Sequence, residues 1–334
     1  MAFFSRDLAI DLGTANTVVY VKNKGVVIRE PTIVATDAKT GTVLAVGDDA
    51  KRMAGRTPQS ITVTRPLRDG VIADFTVTEK LLEYFIRKAA GTGLFARPRV
   101  LVGIPSGITQ VEMKAVIDAA LNAGAREAKL IQEPMAAAIG ADLPVAEARG
   151  VMIVDVGGGT AEVAVISMKG IVTSRSLRIA GDEMTEAIAT HIRRRYNLLI
   201  GDVTAEEVKL AIGSAYPLES EKTYEVRGRD LINGLPKSVE VTSEEIRDAL
   251  KEPLEQILAT IKSALELTPP ELSADIIDSG IMLSGGGALI MGFDKFISTR
   301  TGILVSIAED PLLCVAKGAG RVLENYDSLH EVLI

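Results

Sequence analysis

The chain has 334 residues, 47% of them apolar and 24% charged, with a formal net charge of −7. Those values suit a soluble, folded, bilobal protein and disfavour disorder or a polyanionic nucleic acid as partner. No stretch reaches the ~18 apolar residues of a membrane span, and Arg6 and Asp7 break "MAFFSRDLAIDL" before a secretory core could form.

The first elements are two strands, "LAIDLG" and "TVVYVK", joined by the turn Gly13-Thr14-Ala15-Asn16. A β-rich stretch follows through "GVVIREPTIVATDAKTGTVLAVG". In "TVTEKLLEYFIRKAAG" the residues Leu81, Leu82, Phe85 and Ala89 share one face, which predicts an amphipathic helix. The β-run "RVLVGIP" comes next, then a helix from about Gln110 to Asn122 ended by Gly124. "KLIQEP" reads as a strand leading into an Ala-rich helix at "PMAAAIGA", and the polar "ADLPVAEARG" marks a boundary. The second half restarts with "VMIVDVGGGTAEVAVI". Helices then predominate from about Asp182 to Lys209 and from Ser243 to Leu267. Between them lies a β-like insert, "KTYEVRGRDLINGLPKSVEVT", with Asn233-Gly234 as its hairpin signal. "GIMLSGGGALIMGFDKFI" reads as strand, glycine turn and helix, and "PLLCVAKGAGRVLENY" as helix. The same order occurs in both halves, so the expected fold class is a duplicated α/β architecture with a cleft between two lobes. Cys314 is the one cysteine, expected to be an inert buried thiol in a reducing compartment. His191 and His330 have no Cys or His neighbours at ligand spacing and read as ordinary helix or surface residues.

The two Asp-Gly-Thr hairpins place Asp11 and Asp155 alike, 144 positions apart. Turns of Gly and small residues let several backbone N–H groups converge on phosphate oxygens. Two such turns facing each other would grip one polyanion, with Thr14, Asn16 and Thr160 adding side-chain donors. Bare carboxylates would repel phosphate, so Asp11 and Asp155 suggest a Mg²⁺ ion whose waters separate them from it. A third turn, Ser284-Gly285-Gly286-Gly287-Ala288, suits close approach of a nucleoside or its phosphates. A single GGG turn is ordinarily just a tight hairpin; three, each after a buried strand, point to a nucleotide. There is no Gly-Lys dipeptide for a Walker A loop and no complete G-x-G-x-x-G.

Two segments carry two readings each. Glu133 in "KLIQEPMAAA" is either a helix-start residue beside Pro134, favoured by the helix dipole, or a cleft carboxylate that orients the water attacking a γ-phosphate. "TAEEVKLAIGSAYP" reads as a helix with a Thr cap and an acidic first turn. Its Glu206, Glu207 and Lys209 either form a solvated face or reach a nucleoside.

With these residues in hand, the chain resembles the actin, sugar-kinase and heat-shock-chaperone ATPase superfamily, and within it the MreB family of bacterial actin-like, rod-shape-determining proteins. The likeness spans essentially the whole chain, through "DLGTANT", "REPTIVA", "RPLRDGVIADF", "GIPSGIT", "IQEPMAAAIGA", "VDVGGGTAEVAVIS", "RIAGDEM", "TAEEVKLAIGSAYP", "SGGGALIMG" and "DPLLCVAKGAG". The resemblance implies an actin-like ATPase fold, two duplicated lobes of four subdomains around a central cleft that holds ATP with Mg²⁺. The first lobe is expected over residues 1–145 with a small insert at about 33–75, and the C-terminal helix, 318–334, returns to it. The second lobe is expected over 146–317 with an insert at about 181–256. On matching positions Thr14, Ala15, Asn16, Gly158, Gly159 and Thr160 would contact phosphates. Glu206, Glu207, Val208 and Lys209 would contact the adenosine end, and Gly286, Gly287, Ala288 and Leu289 the opposite side. Glu133 takes the water-orienting role with Thr160 assisting. Relatives usually carry a second Thr where this chain has Ala161, a change that bears on hydrolysis rate more than on binding.

The function implied is an ATP-dependent filament with slow ATPase activity. The partners implied are the chain itself, in paired protofilaments, the inner membrane surface, adaptor proteins and the cell-wall elongation machinery. The alternatives on this fold are a metabolic sugar or acid kinase, for which the small inserts leave little room, and a chaperone ATPase, for which no substrate-binding domain follows "LHEVLI". Residues 87–99, "RKAAGTGLFARPR", are expected to be a surface loop in which Leu94 and Phe95 stand among Arg87, Lys88, Arg97 and Arg99. That pair either folds back onto its own domain or docks on anionic headgroups, as a loop of this kind does in some relatives, with Phe3 and Phe4 as a second contact. The location implied is cytoplasmic and peripheral on the membrane.

Overall fold

Apolar residues run unbroken through "LAI" and "VMIV" because the strands that contain them are covered on both faces. In the computed structural model, which describes residues 7–91 and 97–334, these strands lie at the centres of two five-stranded sheets. The first sheet contains β1 (Leu8–Leu12), β2 (Asn16–Val21), β3 (Gly25–Pro31), β4 (Arg99–Ile104) and β5 (Glu127–Gln132), in the order β3-β2-β1-β4-β5. The second contains β6 (Val151–Val156), β7 (Ala161–Ser167), β8 (Gly170–Leu177), β9 (Ile281–Ser284) and β10 (Val305–Ile307), in the order β8-β7-β6-β9-β10. Each sheet pairs its first three strands antiparallel and its last two parallel. The duplication holds residue by residue: Leu8 faces Val21 and Asp11 faces Val18, while Met152 faces Val165 and Asp155 faces Glu162. Every pair of the first hairpin recurs in the second, shifted by the same 144 positions.

The helices are α1 (Phe75–Ala90), α2 (Gln110–Asn122), α3 (Glu133–Gly140), α4 (Gly181–Tyr196), α5 (Asp202–Ile212), α6 (Ser243–Glu266), α7 (Pro270–Ser279), α8 (Phe293–Thr301) and α9 (Cys314–Glu324). Their starts follow side-chain chemistry. Asp74 caps α1 by accepting from Val77 N, and Thr109 with Glu112 and Thr242 with Glu245 form reciprocal capping boxes on α2 and α6. The face of α1 read from the sequence is the buried one. One expectation needs correction. The helical run from about 182 to 209 is two helices, because Asn197 takes a left-handed backbone (φ 51°) and Leu198–Leu199 then pairs with Arg229 and Asp230. α5 also starts at Asp202 with Gly201 as its cap, so Thr204 lies inside it rather than at its end.

Two three-stranded sheets decorate the large ones. Val34–Asp37, Val43–Val46 and Ile61–Thr64 form one; Leu198–Leu199, Thr223–Asp230 and Pro236–Thr242 form the other, turning at Gly234 (φ 76°). Between the large sheets lie α3 and α9, in one apolar cluster with Ala9, Leu101 and Ile131 from the first sheet and Ile153, Ala164 and Ile166 from the second. They cross so closely that a Cβ on Gly318 would overlap the Ala136 carbonyl and one on Gly140 the Cys314 carbonyl. Cys314 is buried there, and burial pushes its thiol up to about 12, which leaves it unreactive. After α9 the chain returns to the first sheet, where Tyr20 donates to Glu324 at 2.8 Å and Ile334 N to Leu130 O at 3.0 Å. Among the described residues no helix is long and apolar enough to cross a membrane.

Candidate functional site

The turn of the first hairpin is braced by two buried threonines. Thr32 N donates to Ala15 O at 3.0 Å and Thr32 Oγ1 to Gly13 O at 2.6 Å. With its proton committed there, Thr32 accepts from Thr17 Oγ1 at 2.9 Å. Thr14 is buried, and its Oγ1 accepts from Gly70 N at 3.0 Å; Ala15 and Asn16 are half-buried. The second turn is braced by a helix. Gly157 N donates to Thr160 O at 2.8 Å, and the first amides of α4 reach back, Gly181 N to Gly157 O at 3.2 Å and Asp182 N to Gly158 O at 2.7 Å. The two turns meet. A Cβ on Gly158 would lie 2.7 Å from Ala15 Cβ, and one on Gly159 would lie 2.8 Å from Thr14 Oγ1 and 2.9 Å from Asp69 N. Only glycine permits that approach.

Behind the turns sit four carboxyls. Asp11 and Asp155 end equivalent strands, Glu133 opens α3, and Glu162 stands opposite Asp155 on β7. Burial, with the Asp155 charge adding, pushes the Asp11 carboxyl up to about 8. Burial pushes Asp155 up to about 6 against the opposing effect of Ser284, whose Oγ donates to Asp155 Oδ1 at 2.6 Å. Glu133 is raised well above the usual carboxylate range by burial and then by Asp11, Glu162 and Asp155. Glu162 is raised by burial and partly relieved by hydrogen bonds from Ser176 and Ser106. Among the described residues no basic side chain offsets these effects at any of the four. Such a cluster is electrostatically incomplete, and a divalent cation would relieve it. Among the described residues no three acids, histidines or cysteines converge closely enough to hold an ion directly. Two carboxyls on equivalent strands are a donor set that a Mg²⁺ ion accepts when it keeps several of its waters.

The third turn presses on the second. Gly285 has φ 79°, its N donates to Pro311 O at 2.9 Å, and a Cβ there would overlap the Val156 carbonyl. A Cβ on Gly287 would overlap the Val156 side chain. Gly287 and Ala288 are buried, whereas Leu289 is 52% exposed. The turn is followed by a 3-10 segment, Gly286–Leu289, and the helix begins only at Phe293, after Gly292. In α5 the four expected residues part company. Val208 belongs to the core and Glu207 is exposed. Lys209 is buried and donates to Gly181 O at 2.7 Å and Thr185 Oγ1 at 2.9 Å, and it pairs with Glu206 at 2.6 Å. Its ammonium thus ties α5 to the residue that braces the second glycine turn.

Ala161 is fully buried between Val156 and Leu177. Leu94 and Phe95, and Phe3 and Phe4, lie outside the described residues. Their basic neighbours are largely engaged: Arg87 pairs with Glu83 at 2.6 Å, Lys88 with Glu30, and Arg99 with Glu127 at 2.9 Å. Arg87 and Lys88 also belong to the last turn of α1 and Arg99 to β4, so residues 87–99 are not loop throughout, contrary to the sequence reading. Ser284's bond to Asp155 and the whole role of Glu162 were not read from the sequence. The parallel register that sets Ser284 beside Asp155 has no local signature. Glu162 did leave a signal, as the one charge in the apolar strand "AEVAVI", at the place the first hairpin fills with Val18.

Comparison with known proteins covers almost the whole chain. Residues 5–331 match the family model for MreB/Mbl protein. The cell shape-determining protein MreB of Escherichia coli (strain K12) is 54% identical over 329 residues, 97% of this chain and 95% of that protein. The cell shape-determining protein Mbl of Bacillus cereus is 49% identical over 326 residues, 98% of each. Among solved structures, MreB 5 of Spiroplasma citri bound to AMPPNP superposes with a TM-score of 0.93 at 37% identity, covering 99% of both chains.

Proposed function

The chain belongs to the MreB/Mbl family of bacterial actin-like cell-shape proteins and has the actin-like ATPase fold; from that premise we propose that it is a filament-forming cytoskeletal protein whose polymer state is governed by slow hydrolysis of ATP. The observation that carries the nucleotide half of this reading is the meeting of two in-register glycine turns in front of four carboxyls that have no basic partner among the described residues. That a relative of the same fold binds AMPPNP, an ATP analogue, supports it.

In this reading Thr14, Ala15 and Asn16 and, from the other side, Gly158, Gly159 and Thr160 donate to phosphate oxygens. Asp11 and Asp155 hold Mg²⁺ through water, and the ion when bound neutralises phosphate charge. Glu133 orients the attacking water, with Thr160 beside it. Its position at the start of α3 fixes the carboxyl toward the two turns. Glu206 and Lys209 form the adenosine-side wall together, while Val208 supports it from the core and Glu207 touches the ligand from outside. Gly286, Gly287, Ala288 and Leu289 line the opposite side, where the lack of bulk keeps the nucleoside path open.

The polymer is proposed to lie on the inner face of the cell membrane and to organise cell-wall elongation with adaptor proteins. Leu94 and Phe95 would each contribute at most roughly 1.5–3 kcal/mol when buried in lipid, too little to hold a monomer. A filament repeats the pair along one face, and avidity turns weak contacts into attachment. Because Arg87, Lys88 and Arg99 already have acidic partners, the apolar pair is taken to supply most of the contact.

The test is sedimentation and electron microscopy with Mg-ATP, run beside phosphotransfer assays on a panel of sugars. Filaments that form with ATP, release phosphate and phosphorylate no sugar are expected. Phosphotransfer to a sugar without polymer would replace this reading with a metabolic kinase.

A further inference from the structure

Glu162 is fully buried, yet its two oxygens serve different halves of the molecule. Oε1 accepts from Ser176 Oγ at 2.5 Å, on the adjacent strand β8 of the same sheet. Oε2 accepts from the backbone N–H of Ser106 at 3.1 Å, in the loop between β4 and α2 that belongs to the other sheet. The equivalent position in the first hairpin, Val18, is apolar and makes no such bond, so the device occurs on one side of the cleft only. The loop it holds is adjacent to the chemistry. A Cβ on Gly70 would lie 2.7 Å from Pro105 Cγ and 2.9 Å from Thr160 Cγ2, so Pro105 and Thr160 face each other across Gly70. Beside the bond lies a cavity of about 160 Å³, lined by Asp69, Pro105 and Gly107 from one half and by Ser176 and Arg178 from the other. Ser106 Oγ is also buried and lies close enough to the Glu162 carboxyl to help hold its pKa down, without forming a well-aligned hydrogen bond among the described residues. Another polar tie across this end, Arg65 to Asp182 at 2.9 Å, is 46% and 38% exposed, and a pair so wetted contributes little.

We propose that Glu162 is a positioning residue that latches the two lobes, holding the Pro105–Ser106 loop against Thr160 so that the cleft is closed when ATP is hydrolysed. The inference rests on the ATPase reading for its kinetic consequence but not for its structural one. A charge-assisted bond through a buried carboxylate is strong when made and costly to leave open, because the other lobe offers no replacement for the Ser106 amide. Opening the cleft breaks that one bond while the bond to Ser176 stays, so Glu162 remains aimed and ready to reclose.

The latch needs reach first and charge second, which gives it a distinctive test. Glu162→Gln keeps the length: its oxygen accepts from Ser106 N–H and its amide donates to Ser176 Oγ. Glu162→Asp keeps the charge but draws the carboxylate back by about one bond length, ~1.5 Å, beyond reach of Ser106. Full-length proteins carrying spin labels at the exposed positions of Lys51→Cys and Glu240→Cys report the interlobe distance by pulsed electron resonance, with buried Cys314 silent. Single-turnover hydrolysis and nucleotide affinity are measured on the same variants. Glu162→Gln is expected to keep the wild-type distance and a hydrolysis rate within about threefold. Glu162→Asp is expected to shift the distribution to longer distances and slow single-turnover hydrolysis about tenfold or more, the scale of one lost charge-assisted bond. Its nucleotide affinity should change far less. Equal distances in Gln, Asp and wild-type proteins overturn the latch. Wild-type protein that hydrolyses no ATP overturns the ATPase reading instead, and the distances still decide the latch.

Discussion

Replacing Asp11 by Asn should stabilise the nucleotide-free protein while removing part of its response to Mg-nucleotide. The Asp11 carboxyl stands near 3.8 in an unfolded chain and is pushed up to about 8 in the fold, by burial first and by Asp155 second. Between those values the folded chain keeps a proton that the unfolded chain has released. Stability therefore falls as pH rises from about 4 to about 8 and changes no further above that. At pH 7 the penalty is about 4 kcal/mol, at 1.36 kcal/mol per pH unit. Asparagine carries no charge at any of these pH values, so Asp11→Asn removes this contribution together with its slope. Urea unfolding of nucleotide-free protein between pH 5 and pH 8 measures both. The variant should be more stable at pH 7.5, and its stability should fall less steeply with pH than that of the wild type. Mg-nucleotide at a hundredfold excess over its dissociation constant adds about 2.7 kcal/mol to a protein that binds it. The Mg²⁺-dependent part of that gain should shrink in the variant. If Asp11→Asn is no more stable than wild type at pH 7.5 and keeps the full slope, Asp11 is not held against burial and the charge argument for the ion fails.

Glu133→Gln should lower phosphate release from assembled protein by about a hundredfold or more while nucleotide affinity stays close to wild type, since a water-orienting group acts in the transition state; unaltered turnover would make Glu133 a helix-start residue only. Gly318→Ala should lower the thermal midpoint, with a cost of about 1–3 kcal/mol or more, because the added methyl meets the Ala136 carbonyl and α3 and α9 must separate; calorimetry showing no loss would mean that the helix pair is loosely packed. Lys209→Met should weaken nucleotide binding and destabilise the fold by about 1–3 kcal/mol, because Gly181 O and Glu206 lose their donor; unchanged affinity would limit Lys209 to a structural tie. Leu94→Ser with Phe95→Ser should leave ATP-dependent pelleting intact and abolish co-sedimentation with liposomes, and filaments of this variant that still coat liposomes would assign membrane contact elsewhere.

What the sequence determined by itself was whatever local periodicity and turn chemistry encode. The strand–turn–strand of "DLAIDLGTANTVVYV" and its copy were legible because Asp, Gly and small polar residues recur between apolar runs at fixed spacing, and the register reproduces that spacing pair for pair. The helix Gln110–Asn122 was legible because Thr109 and Glu112 cap it and Gly124 ends it. The candidate phosphate turns were legible as glycine runs, although what demands glycine at 158 and 159 is the close approach of the facing turn. Tertiary structure decided what depends on contacts between distant segments. The break at Asn197 follows from Leu198 joining a strand about thirty residues away, at Asp230. Ser284 reaches Asp155 only because β9 lies parallel beside β6, and Lys209 braces a glycine turn only because α5 packs against α4. Gly318 and Gly140 look like ordinary helix weaknesses until α3 and α9 cross between the sheets. Glu162 is the clearest case: a lone charge in an apolar strand announces that something must accompany it, but burial leaves open which group does so, and only the fold brings the Ser106 amide to it.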